Sequence, residues 1–197
     1  MTSLASFGYT DRDKIRFTKV SSFRDGERPF SQRREYLVSN ANMFGGTIID
    51  SASELQAMLI KEICIEDGKP DPDLKVWSKV TGRMRDEIRA IRDLDLHVIV
   101  TALEKQVRDE QTGMMHIVPS LSGKMGNELP AYFDVVGWLT TQVFDGETKR
   151  VIYFDPVSPG IITPFLAKDR TGALGKGIIE PTMSKIFKLI RERHNLN

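Results

Sequence analysis

The sequence has one cysteine, Cys64, among its 197 residues. A single thiol excludes a disulfide framework and a cysteine-built zinc site, and it is the usage expected of a chain kept in a reducing cytoplasm. An excess of either charge is also lacking: Lys plus Arg number 28 against 27 Asp plus Glu. No global attraction to nucleic acid or membrane can be argued from that balance, and only a local basic loop is left for such a role. No apolar run approaches the ~20 residues of a membrane span. The first residues, "MTSLASFGYTDRDKIRF", lack the basic and then long apolar regions of a signal peptide. His97, His116 and His194 share no metal-ligand spacing and read as structural. What remains, 40% apolar and 28% charged residues, is the composition of an ordinary soluble chain. Its length suits one domain with a proper core and is cramped for two.

The pattern of apolar residues gives a coarse architecture. Residues 1–13 have no period and are expected to be loose. "KIRFTKVSSF" (14–23) reads as a strand, and "QRREYLVSNANMF" as a helix capped by Ser31 and stopped at Gly45-Gly46. "TIID" reads as a short strand with both faces buried, as in a parallel sheet. "SASELQAMLIKEIC" (51–64) and "LKVWSKVTGRMRDEIRAIRDL" (74–94) read as amphipathic helices, the second with Trp77, Val80, Met84, Ile88 and Ile91 on one stripe. "LHVIVTAL" (96–103) is another buried strand. Alternating strands and helices over 14–103 argue for a parallel sheet covered by helices. Beyond that the character changes. A hairpin is expected around "DEQTG", a glycine-rich loop and short helical turn at "GKMGNELPAYF", and a second hairpin around "DGETK". An extended piece at "GIITPFLAKDR", a flexible loop at "TGALGKG" and a closing helix from Pro181 complete the chain.

"TIID" followed by Ser51 looks like a strand delivering a carboxylate to the magnesium side of a nucleotide. Such an aspartate normally works beside a loop G-x-x-x-x-G-K-[ST], whose N–H groups wrap phosphate and whose hydroxyl holds magnesium. That loop is lacking from these residues. In "VPSLSGKMG" Val118 stands at the first glycine and Met125 at the hydroxyl; in "DRTGALGKG" Arg170 stands at the first glycine and Gly177 follows the lysine. The first 44 residues hold only Gly8 and Gly26, neither followed by lysine. On the residues alone two readings of Asp50 and Ser51 stay open, a magnesium-side pair or a helix N-cap.

The succession "TIIDSASEL", a tryptophan-bearing helix, "HVIVTALEKQ", "PSLSGKMGNELPAYFDVVGWL" and "LAKDR" resembles the RecA-like ATPases of bacteriophage, small AAA-family nucleotide-binding proteins associated with single-strand annealing and recombination. The resemblance runs in order over about three quarters of the chain. It implies an α/β fold with a RecA-like P-loop NTPase core, a mainly parallel sheet flanked by helices, and an antiparallel β extension. It further implies ATP and Mg2+ as ligands, with Asp50 orienting the water shell of the metal and Ser51 beside it. Thr101, at a strand end, matches the residue that senses the γ-phosphate, and is equally readable as a β-branched strand residue. Lys168 and Arg170 match a Lys-x-Arg pair that reaches the nucleotide of a neighbouring subunit, which implies a homo-oligomer; a solvated charge pair is the alternative. Lys105, Arg108 and Lys124 fall where such proteins contact single-stranded DNA. The lack of any aromatic residue between Leu103 and Tyr132 favours a plain structural hairpin there.

The chain departs from that family at its start, where the strand, phosphate loop and helix that carry the triphosphate cradle and the general base do not occur. Glu54 is the conceivable substitute base. The expectation is a single domain over 1–197, with an α/β part at 14–103 and a β extension with a closing helix at 104–197. It would be a truncated or degenerate ATPase located in the cytoplasm, weak or inactive alone. The alternative is a non-catalytic interaction or DNA-binding module that self-assembles without nucleotide.

Overall fold

In the computed structural model, which describes residues 18–110, 113–156 and 164–195, a short loop folds Phe23 inward and leads to α1 (Phe30–Ser39). Of the strand expected over 14–23, residues 14–17 lie outside the described residues, as do 1–13; the larger part, residues 18–23, forms no strand, and Ser22 makes only an isolated bridge to Pro29. No side chain caps α1, and Ser31, expected as its cap, lies inside the first turn. The helix stops at Ser39, before the expected Gly45-Gly46. Asn40 takes over there, its Nδ2 donating to the Tyr36 carbonyl at 2.8 Å, and a 3-10 turn (Ala41–Met43) follows. Asparagine suits such a stop because its side chain replaces a lost helical hydrogen bond.

Strand β1 (Gly46–Ile49) then feeds α2 (Ala52–Glu66) and α3 (Leu74–Arg92), and the chain returns as β2 (His97–Val100). The two strands pair in parallel, with Gly46 opposite His97 and Ile49 opposite Val100. Leu55, Leu59 and Ile63 of α2 meet Val76, Val80, Met84, Ile88 and Ile91 of α3 in the main core. Trp77 sits one place off that stripe and is half-buried, Val76 filling the expected position. Ile49, Val98 and Val100 pack on the same core from the sheet. The other face of the pair is barer than a doubly covered sheet requires: Ile48 is 64% exposed. Ion pairs stitch the helices at their rims. Arg34 meets Glu87 at 2.7 Å and Arg83 meets Glu66 at 2.8 Å.

After β2 the expected hairpins form. Strand β3 (Glu104–Arg108) pairs antiparallel with β4 (Met115–Pro119). Helix α4 (Met125–Ala131) follows, and Met125 and Leu129 close the main core. β5 (Val135–Val136) precedes β6 (Trp138–Phe144), which turns through Asp145 and Gly146 into β7 (Glu147–Tyr153). Both turn residues take positive φ, 51° and 81°, as a tight two-residue hairpin needs. The extended piece expected at 160–170 shrinks to β8 (Lys168–Asp169), paired with β5, its residues 160–163 lying outside the described ones. β9 (Gly177–Ile179) adds to β7, and α5 (Met183–His194) closes over Phe154, Leu174 and Ile178. Along β6, Leu139 is 57% and Val143 69% exposed, and β6 is an edge strand among the described residues. Among the described residues, no helix is long and apolar enough to cross a membrane. Among the described residues the result is a mixed α/β arrangement of five helices and small sheets, one of them parallel.

Two substitutions test this arrangement. A Cβ at Gly46 would lie 2.7 Å from the His97 carbonyl oxygen, so Gly46→Ala should force the parallel strands apart and lower the melting temperature. Leu59, with no exposed surface, should cost about 2–5 kcal/mol when cut to alanine, read from urea denaturation.

Candidate functional site

Asp50 leaves the end of β1 and Thr101 the end of β2, so the parallel register places them side by side at the carboxyl ends of adjacent strands. That is where open α/β sheets collect ligands. The Thr101 hydroxyl donates to Asp50 Oδ1 at 2.6 Å. The backbone fastens the same corner: Thr101 N–H donates to the Ile49 carbonyl at 3.0 Å, and Ala52 N–H to the Thr101 carbonyl at 2.8 Å. The Asp50–Ser51 peptide is cis. Ser51 is the N-cap of α2, its Oγ accepting from Glu54 N–H at 3.4 Å. Of the two residues that could have capped the helix, Ser51 does so and Asp50 does not. Asp50 is exposed, with Oδ2 facing no hydrogen-bond donor among the described residues. Glu54 is exposed in the first turn of α2, near the corner in sequence, and joined to Asp50 by no hydrogen bond.

Lys168 and Arg170 lie elsewhere, on and just after β8, and no hydrogen bond or ion pair ties either to Asp50 or Thr101. Arg170 reaches Asp134 at 3.7 Å. Lys168 is half-buried at the edge of a cavity of about 420 Å³ shared with Phe154, Asp155, Ala167 and Gly172. Burial there, with Arg170 beside it, lowers the lysine pKa, and Asp134 partly offsets both. The intervening Asp169 is no solvated charge. It accepts from Thr171 N–H at 2.8 Å, from the Thr171 hydroxyl, and from Leu174 N–H at 2.8 Å. This carboxylate orders the loop that composition marks as flexible. Burial acts to raise its pKa, but the donors from Thr171, Leu174 and Gly172 outweigh that and hold it below the usual carboxylate value.

Two of the three basic residues assigned to DNA are engaged internally. Lys105 donates to the Leu121 carbonyl, and Arg108 Nε to the Gly113 carbonyl at 3.3 Å within its own hairpin. Lys124 is exposed before α4; its carbonyl accepts from Asn127 and Glu128 N–H, while its ammonium makes no hydrogen bond or ion pair among the described residues. The loop that carries it is pinned by Gln56, a residue that motif reasoning passes over. Gln56 is 3% exposed; its Oε1 accepts from Ser122 N–H at 2.6 Å and its Nε2 donates to the Ser122 carbonyl at 3.2 Å.

The model of the AAA domain family matches residues 7–171, most of the chain. The chain belongs to the AAA domain family. No curated protein and no solved structure matches it. AAA domains are nucleotide-binding, ATPase-like modules that generally bind ATP with Mg2+. The corner of this AAA domain fits such a metal in one respect. Mg2+ keeps most of its water and needs only one or two carboxylates, and Asp50 offers one. No group of three or more His, Cys, Asp or Glu that could cage a metal occurs among the described residues. The triphosphate is another matter. None of the three Gly-Lys pairs of the sequence, Gly68-Lys69, Gly123-Lys124 and Gly175-Lys176, has the residues of a phosphate cradle.

Asp169 gives this AAA domain a testable acid limb. Its folded pKa is depressed, so its contribution to stability is complete above the ordinary aspartate pKa and is lost as pH falls through the lower folded value. Melting curves from neutral pH downward should show that loss, and Asp169→Asn should lower stability near neutrality and flatten the acid limb. Ser51→Ala should cost about 1 kcal/mol through the lost N-cap.

Proposed function

We propose that this AAA domain is a RecA-like, Mg2+- and ATP-responsive protein of phage DNA recombination. In this reading Asp50 is the magnesium-side carboxylate, Thr101 its hydrogen-bonding neighbour on the sensing strand, and Lys168 and Arg170 a cationic pair offered to an adjacent copy. The single observation that carries the reading is the Thr101-to-Asp50 hydrogen bond at the carboxyl ends of two parallel strands. It supports a role for Asp50 beyond helix capping, because Ser51 has taken the cap. Without a phosphate cradle among its residues, the chain alone hydrolyses ATP weakly or not at all. Lys124 is the best placed of the three basic residues for single-stranded DNA, since Lys105 and Arg108 are engaged within the fold.

The lack of a cradle also favours a second reading, a module that assembles or binds DNA without nucleotide. A thermal-shift titration with ATP and Mg2+ separates the two. The nucleotide reading expects a rise in melting temperature that Asp50→Ala removes. An unchanged melting temperature across the titration supports the module. Rapid Mg2+-dependent turnover by the isolated chain, abolished by Asp50→Ala, would defeat the claim of weak hydrolysis.

A further inference from the structure

The Asp50–Thr101 corner and the Lys168–Arg170 segment belong to different sheets. The backbone of Ile117, on β4, bonds to Pro164 and Leu166 and links them once, and one side chain adds a second link between the chain segments that carry them. Trp138 opens β6, and its indole Nε1 donates to Glu104 Oε2 at 2.7 Å. Glu104 begins β3 three residues after Thr101, and the turn between them is held on both sides. Leu103 N–H donates to Ser53 Oγ at 3.1 Å, and the Leu103 carbonyl accepts from Ser120 N–H at 2.6 Å. On its other side the Trp138 ring packs against Phe165, centroids 4.7 Å apart, and stacks on Tyr153 at 6.1 Å. Phe165 and Ala167 are buried in that same cluster and lead directly into Lys168. A displacement of Thr101 therefore moves Glu104 through a short pinned turn. The indole hydrogen bond passes it to a close-packed aromatic stack, which does not absorb a shift by deforming locally.

We propose that Trp138 is a positioning residue that couples the Asp50–Thr101 corner to the Lys168–Arg170 segment. The use of this coupling rests on the function proposed above, in which corner and cationic pair serve one nucleotide cycle. The coupling itself belongs to the chain without ligand. An indole N–H in a packed cluster ordinarily takes an acceptor, and the acceptor Trp138 takes is a carboxylate on the strand that continues from Thr101.

The sequence holds two tryptophans, so Trp77→Phe leaves Trp138 as the sole indole probe. In that background Thr101→Val should shift the indole N–H resonance of Trp138 and the amide resonances of Lys168 and Asp169, and Thr101→Ser should restore them. Adding Trp138→Phe to Thr101→Val should abolish the shift at Lys168 and Asp169. A Trp138 resonance indifferent to Thr101→Val overturns the coupling, as does a shift at Lys168 that persists without the indole. Should Thr101→Val fail to fold, Asp50→Asn perturbs the same hydrogen bond and carries the same two outcomes. Calorimetry with Mn2+ and ATP is run separately. An absence of heat counts against the nucleotide reading and leaves the ligand-free comparison to decide the coupling. Binding that leaves Trp138 emission unchanged counts against the coupling alone.

Discussion

The parallel pairing of Gly46–Ile49 with His97–Val100 sets the position of everything that could be chemical in this molecule. Its register fixes which residue follows each strand, and so brings Asp50 within a hydrogen bond of Thr101. A slip of β1 by one residue would turn Ile49 away from the helices, and a slip of β2 would turn Val98 and Val100 away; either would break that contact at the same time. The pairing depends in turn on Gly46, whose missing side chain lets the His97 carbonyl approach. It depends also on α2 and α3, which supply the apolar surface beneath it. Local stability and the geometry of the corner are therefore one constraint.

Much of this was legible in the residues. The four-residue spacing of Leu55, Leu59 and Ile63 and of Val80, Met84 and Ile88 marked α2 and α3 nearly to their ends, because burial on one helical face has a fixed period. The Asp145-Gly146 pair gave the second hairpin, because few residues other than glycine, asparagine and aspartate accept positive φ. Helix ends were less legible. Ser31 looked like a cap, yet Asn40 and the 3-10 turn after it decide where α1 stops through contacts that no periodicity encodes. The sheet was over-read: two apolar strands looked doubly buried, and the described residues cover one face well and leave Ile48 largely open.

The site was legible in part and for similar reasons. A short β-branched run ending in Asp-Ser points to Asp50 by local sequence, and only the fold decides that Ser51 caps while Asp50 faces Thr101. Lys105 and Arg108 looked available for phosphates because charge is visible in a sequence and a hydrogen bond to a distant carbonyl is not. Gln56 and Trp138 gave no signal at all. Their partners, Ser122 and Glu104, stand 66 and 34 residues away. Long-range polar contacts of that kind carry no spacing rule, and they hold the Lys124 loop and the aromatic cluster in place.

The β6–β7 hairpin bears on the behaviour of the protein in concentrated solution. One outer strand runs seven residues, Trp138–Phe144, without a charged side chain or a proline, and it presents Leu139 and Val143 to water. Sheet proteins commonly guard such borders with lysine, proline or a bulge, because a row of unpaired amides and carbonyls invites another strand. Here the charges stand one strand inward, on Glu147, Lys149 and Arg150. Among the described residues, the hairpin is thus a border at which crowding would make one copy adhere to another, and where a single lysine at Val143 would guard it at little structural expense.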